Sequence, residues 1–116
     1  MLYFITMGDL KDCIINAYCL VYILRLEQDK YYVGSTDHLN SRLFQHYNNK
    51  GSNWTKKYKP IKIVGIKIGN RETETKVTLA MMKKHGIENV RGGGYCKCDL
   101  CITDELREKV RVTKPL

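Results

Sequence analysis

Residues 18 to 26 (YCLVYILRL) constrain the fold of this chain more than any other stretch. Extended as a strand, the segment points Tyr18, Leu20, Tyr22 and Leu24 to one side and Cys19, Val21 and Ile23 to the other. Both sets are apolar or aromatic. A strand of this kind needs cover on both faces, so the sheet that holds it must sit between layers. Glu27-Gln28-Asp29 is a polar turn, and Lys30 to Gly34 returns as a second strand, which makes a hairpin.

The rest of the chain supplies the cover. Thr36 or Asp37 can cap a helix over residues 38–48, with Leu39, Leu43 and Tyr47 toward the core and Gly51 as its stop signal. Residues 53–60 (NWTKKYKP) read as a basic, aromatic loop, with Trp54 plugging the core. Ile61 to Ile68 is a third strand, and the phase of its apolar residues slips beside Gly65, the mark of a bulge. Glu72 to His85 is a helix with Val77, Ala80 and Met81 inward, closed by Gly86. Arg91-Gly92-Gly93-Gly94 is irregular, and Thr103 to Val110 is a last helix capped by Thr103 or Asp104. The order β-β-α-β-α-α predicts an α/β chain of the α+β type, a small three-stranded antiparallel sheet flanked by helices.

A chain of 116 residues suffices for one domain, taken as residues 18–116, with residues 1–17 as a tail or short helix. Its formal charge of +8 favours an anionic partner, of which nucleic acid is the commonest. No apolar run approaches the ~20 residues of a membrane span. Asp9, Lys11 and Asp12 interrupt the first segment, which does not read as a secretory signal. Without such a signal, the odd set Cys13, Cys19, Cys96, Cys98 and Cys101 implies reduced thiols in an intracellular compartment.

The chemistry-bearing residues cluster in the first half. Tyr22 and Tyr32 lie on neighbouring strands and can point into one cleft. Arg42 and His46 are four residues apart, hence stacked on one helix face. Taken singly, a strand tyrosine is a packing residue and a helix arginine a solvated one. Two phenols, a guanidinium and an imidazole gathered on a basic domain suggest phosphodiester chemistry.

Leu20-Val21-Tyr22, then Tyr32-Val33-Gly34, then Arg42 with His46 resembles the GIY-YIG endonuclease family in order and spacing. The run Trp54 to Pro60 is similar to the segment before that family's third strand, and the resemblance spans roughly residues 18 to 95. It departs at Leu20, where the family has glycine, and at Val21 and Val33, where it has isoleucine. The resemblance implies metal-dependent cleavage of DNA with one divalent ion, Mg²⁺ or Mn²⁺, and one glutamate ligand. In the family that glutamate lies within the helix after the third strand, where this chain reads Thr78-Leu79-Ala80-Met81-Met82. The candidates are Glu72, Glu74 and Glu88. Helix spacing puts Glu74 on the stripe of Val77, Thr78 and Met81, toward the sheet, so Glu74 is preferred.

In this reading Arg42 clamps phosphate, Tyr22 takes a proton from water and Tyr32 positions water or phosphate. A free phenol titrates near ~10, so Tyr22 needs nearby cations, with Arg42 and His46 as their source, or shares the proton with His46. Lys50, Lys56, Lys57, Lys59 and Arg71, interleaved with Trp54 and Tyr58, form a patch for DNA backbone and unpaired bases. With no appended reading domain, DNA specificity is low, read from shape, or supplied by a protein partner. Two alternatives stand beside the endonuclease. One is a catalytically weak nucleic-acid-binding domain on the same fold. The other is an interaction module whose Cys96, Cys98 and Cys101 hold zinc with a fourth ligand from Cys13, Cys19 or His85.

Overall fold

The computed structural model describes residues 18–111, so the reading of residues 1–17 as a tail or short helix lies outside the described residues. Strand β1 (Leu20–Leu26) pairs antiparallel with β2 (Tyr31–Thr36) through a turn in which Gln28 and Asp29 take left-handed φ values of 61° and 57°. Helix α1 (Leu39–Tyr47) and a short helix α2 (Asn53–Lys57) follow. Strand β3 (Pro60–Ile68) pairs antiparallel with the other edge of β1. Helix α3 (Arg71–His85), strand β4 (Val90–Gly92) and helix α4 (Asp104–Val110) complete the described chain.

The sheet has four strands in the order β3-β1-β2-β4, and β4 runs parallel to β2. This corrects the three-stranded antiparallel expectation. Val90–Gly92 was hidden because it is three residues long and ends in glycine, too short to show alternation. Helix α3 carries the chain across the sheet and delivers it alongside β2, which fixes the parallel sense.

Central β1 is covered on both faces, as its sequence demands. On one side Leu20, Tyr22, Leu24 and Leu26 pack with Tyr32, Leu39, Leu43 and Trp54. On the other Val21, Ile23 and Val33 pack with Val77, Met81, Met82, Val90 and Leu106. The bulge expected near Gly65 is present: Ile23 pairs with Gly65 and Leu24 with Ile63, which leaves Val64 over.

Several local expectations change. The N-cap of α1 is His38 without a side-chain cap, while Thr36 Oγ1 accepts from the His38 N–H at 3.0 Å. Tyr47 is 48% exposed, and His46 takes the third buried place after Leu39 and Leu43. The 39, 43, 46 spacing keeps to one face of a 3.6-residue helix better than 39, 43, 47. The chain leaves α1 through Asn49, with φ 60°, rather than through Gly51. Residues 53–57 are helical because Ser52 caps them, its Oγ accepting from the Thr55 N–H at 3.2 Å. In α3, Ala80 is exposed, and Thr78 and Met82 join Val77 and Met81 in the core.

Arg91 ties the C-terminal loop to this frame. It is 4% exposed and its guanidinium donates to the carbonyls of Ile87, Val90, Lys97 and Cys98. The same group lies 4.5 Å from the centre of the Trp54 ring. The loop that follows β4 is thereby tied back to β4 itself.

Candidate active site

A cavity of about 470 Å³ opens where β4 ends. Its walls are Tyr22, Tyr32 and Ser35 from the first two strands, Arg42 from α1, and Arg71, Glu74 and Thr75 from the start of α3. Gly93, Gly94 and Cys96, beyond β4, close it. Two guanidinium groups against one carboxylate make it net cationic, and such a recess suits a phosphate.

Each side chain is aimed by its element. Tyr22 pairs across β1 and β2 with Gly34. A Cβ at Gly34 would overlap the Tyr22 hydroxyl and ring carbon and lie 2.9 Å from the Tyr32 ring. Position 34 is glycine because the Tyr22 phenol lies across it. The Tyr22 and Tyr32 rings stand 6.3 Å apart, and each also flanks His46, at 5.7 and 5.2 Å. The Tyr22 hydroxyl lies 2.8 Å from His46 Nε2, and His46 Nδ1 lies 3.1 Å from Thr55 Oγ1.

Burial governs the protonation of this group. It pushes the Tyr22 phenol well above its ordinary value; Tyr32 and Glu74 add to the rise, and the Arg42 charge opposes it. Tyr32 is raised by burial too, again against Arg42. His46 is pulled down to about 4, by burial first and then by Arg42. The sequence reading left His46 either as a cation that would acidify Tyr22 or as a group that shares the Tyr22 proton. Burial favours the second, with a neutral imidazole beside a protonated phenol. A ring that is 1% exposed beside a guanidinium cannot hold a second charge cheaply.

Glu74 lines the cavity, half-buried, in the first turn of α3, where Asn70 and Thr73 form a capping box. Among the described residues its carboxylate has no ion pair, whereas Glu72 is exposed and faces Lys76 at 3.5 Å. Glu88 lies in a short 3₁₀ turn after α3 and is not part of the cavity wall. Among the described residues no group of three His, Cys, Asp or Glu side chains is placed to hold a metal ion. A cation here would therefore meet one protein carboxylate and fill its shell with water and phosphate oxygens. That donor set fits Mg²⁺, which keeps several waters and binds through one or two carboxylates.

The basic patch divides. Arg71 lines the cavity, while Lys50, Lys56, Lys57 and Lys59 are exposed outside its wall, on and around α2. Trp54 and Tyr58 are not free platforms for bases: Trp54 is 2% exposed, its Nε1–H donates to the Tyr31 carbonyl at 2.9 Å, and the Tyr58 ring packs edge-on against it at 4.8 Å. The described cysteines, Cys19, Cys96, Cys98 and Cys101, are free thiols. No described helix is long and apolar enough to cross a membrane.

Sequence reasoning missed Ser35, Thr75, Gly93, Gly94 and Cys96 as cavity residues, and Gly51 and Thr55 as neighbours of His46. The run of three glycines was a usable signal, since such a run permits a close backbone approach. A Cβ at Gly93 would sit 2.7 Å from Thr75 Oγ1, so the loop is pressed against the turn that bears Glu74.

The family model of the GIY-YIG catalytic domain matches residues 18–84. No curated protein and no solved structure matches the chain.

Proposed function

The chain belongs to the GIY-YIG family, whose catalytic domains are nucleases that act on DNA, and from that premise we propose a divalent-metal-dependent endonuclease that hydrolyses DNA phosphodiester bonds. The observation that carries this reading is the single cavity shared by Tyr22, Tyr32, Arg42 and Glu74.

A phosphodiester seated there would meet Arg42 and Arg71, whose fixed charges match its non-bridging oxygens. Glu74 would hold Mg²⁺ or Mn²⁺. When bound, the ion supplies positive charge at the phosphoryl oxygens and acidifies a coordinated water. The chain's own groups handle the proton. With its hydrogen given to His46 Nε2, the Tyr22 oxygen offers lone pairs to a water in the cavity. As the water oxygen bonds to phosphorus, one water proton passes to Tyr22 and the phenol hydrogen passes to His46. The bond from phosphorus to the leaving oxygen breaks, and that oxygen takes a proton from the pair. Neither residue titrates near neutrality alone, so the base is the neutral phenol–imidazole pair acting as a unit. Burial first and the Arg42 charge second disfavour a charged His46, so the proton does not rest there. Tyr32 flanks both rings and borders the cavity, where its hydroxyl can orient water or phosphate.

The alternative of a binding domain without catalysis rested on no acid reaching the metal position, and Glu74 on the cavity wall favours the enzyme. Nicking of supercoiled plasmid decides between them. The enzyme relaxes plasmid with Mg²⁺ or Mn²⁺ and not with chelator; a binding domain retards plasmid and leaves it intact under both conditions.

A further inference from the structure

Behind Tyr22 and His46 stands a third residue to which the reaction as described gives no part. Thr55 is 1% exposed, and its Oγ1 lies 3.1 Å from His46 Nδ1 and 3.0 Å from the Ser52 carbonyl oxygen. A hydroxyl has one hydrogen, and a carbonyl oxygen can only accept. With the Thr55 hydrogen on the Ser52 carbonyl, Thr55 Oγ1 accepts from His46, so Nδ1 carries the ring hydrogen. In a neutral imidazole the other nitrogen then holds the lone pair. Nε2 accepts from the Tyr22 hydroxyl at 2.8 Å, so the hydrogens of Tyr22, His46 and Thr55 each have an acceptor, and the Ser52 hydroxyl, 3.2 Å from Thr55 Oγ1, can donate to the remaining lone pair there.

The reverse chain has the opposite chemical consequence. If Thr55 donated to Nδ1, Nε2–H would donate to the phenol oxygen, and the phenol hydrogen would turn into the cavity. Tyr22 would then offer water a donor where catalysis needs an acceptor. The reverse chain also takes the Thr55 hydrogen away from the Ser52 carbonyl.

A second feature shows how closely the backbone holds this pair. A Cβ built at Gly51 would overlap His46 Nδ1 and lie 2.8 Å from Thr55 Oγ1. The glycine read from sequence as a helix stop is a roof over the His46–Thr55 bond. The groups facing His46 are the Tyr22 and Tyr32 rings from the sheet, Thr55 from α2 and the Arg42 charge from its own helix. None of these is a carboxylate, so Thr55 holds the role that an acid often fills beside a functional histidine.

We propose that Thr55 is a positioning residue: it fixes the Nδ1–H tautomer of His46 and, through it, points the Tyr22 hydroxyl hydrogen away from the substrate. Thr55 touches neither substrate nor metal. The proposal rests on the nuclease reading for its catalytic meaning, while the tautomer is measurable without turnover.

The test uses the full chain and two substitutions. Thr55→Val keeps the shape and removes the hydroxyl; Thr55→Ser keeps the hydroxyl. Long-range ¹H–¹⁵N correlation spectra at neutral pH read which ring nitrogen of His46 bears hydrogen. The wild type and Thr55→Ser should show the Nδ1–H form, and Thr55→Val should lose its dominance. In plasmid nicking, Thr55→Val should lower kcat about tenfold or more with KM and DNA affinity unchanged, and Thr55→Ser should restore most of it. An Nε2–H ring in the wild type overturns the proposal, even if Thr55→Val fails to fold. So does a folded Thr55→Val that nicks at the wild-type rate. A wild-type chain that cuts no DNA defeats the nuclease reading instead, and the ring-nitrogen spectrum still decides the role of Thr55.

Discussion

The Tyr22 phenol oxygen stands 2.8 Å from Nε2 of His46, and the two side chains are fully buried partners from different elements. If they act as one proton-handling unit, their contributions are not additive. Tyr22→Phe should lower nicking ~10²–10⁴-fold, the usual worth of a general base, with the fold kept. His46→Phe should fall in the same range, and the double variant should be little worse than either single one. Steady-state kinetics on the three variants checks this. Losses that multiply would assign the two residues independent roles.

Gly34 is where the fold and the site share one atom's worth of space. Gly34→Ala places a methyl against the Tyr22 hydroxyl and the Tyr32 ring. Overpacking of this kind costs about 1–3 kcal/mol, and here it also displaces Tyr22. Thermal melting should show a lower Tm and nicking should fall by more than the loss of folded protein explains. An alanine variant with native Tm and native rate would contradict the packing described.

The pH response of stability follows from His46. Its folded value is about 4 against an ordinary 6.5. Above pH 6.5 the ring is neutral in both states. Between about 6.5 and 4 the unfolded chain binds a proton that the folded chain refuses, so the unfolded state is favoured increasingly as pH falls. Below that window the contribution levels off. Urea midpoints of the wild type should therefore decline from pH 7 to pH 4, and His46→Phe should decline less. Parallel declines in the two proteins would show that His46 is not held neutral.

Lys50, Lys56 and Lys57 are exposed and lie outside the cavity, which suits binding of the DNA backbone over catalysis. In a Lys50→Ala, Lys56→Ala, Lys57→Ala variant the plot of log affinity against log salt should flatten by roughly 0.9 for each phosphate that is no longer neutralised. The kcat at saturating DNA should stay near wild type. Fluorescence anisotropy across a salt series measures the slope. A wild-type affinity that is indifferent to salt would remove the patch from DNA binding.

The hairpin, its bulged neighbour and both long helices were legible because each carries a repeating apolar signal or a cap. The two-faced apolar run of β1 announced its central place, and Tyr22, Tyr32, Arg42 and His46 came from spacings along two neighbouring strands and the helix that follows them. The signal fails where structure is short or contact is distant. Val90–Gly92 is too brief for a period to register, and α2 was lost among lysines although Ser52 caps it. The protonation of His46 stayed open between a cation and a partner in proton sharing because sequence gives a neighbour's charge but not the burial that outweighs it. The role of Gly51 was invisible for a related reason: its constraint is the approach of a side chain from the preceding helix, not a turn of its own backbone.

The most direct test of the catalytic constellation is a crystal of Tyr22→Phe grown with a DNA duplex and Mn²⁺, examined for manganese anomalous scattering. The account predicts one manganese at the Glu74 carboxylate, with a phosphate between it, Arg42 and the position 22 ring. Manganese held by another carboxylate, or DNA whose backbone bypasses the cavity, would contradict it.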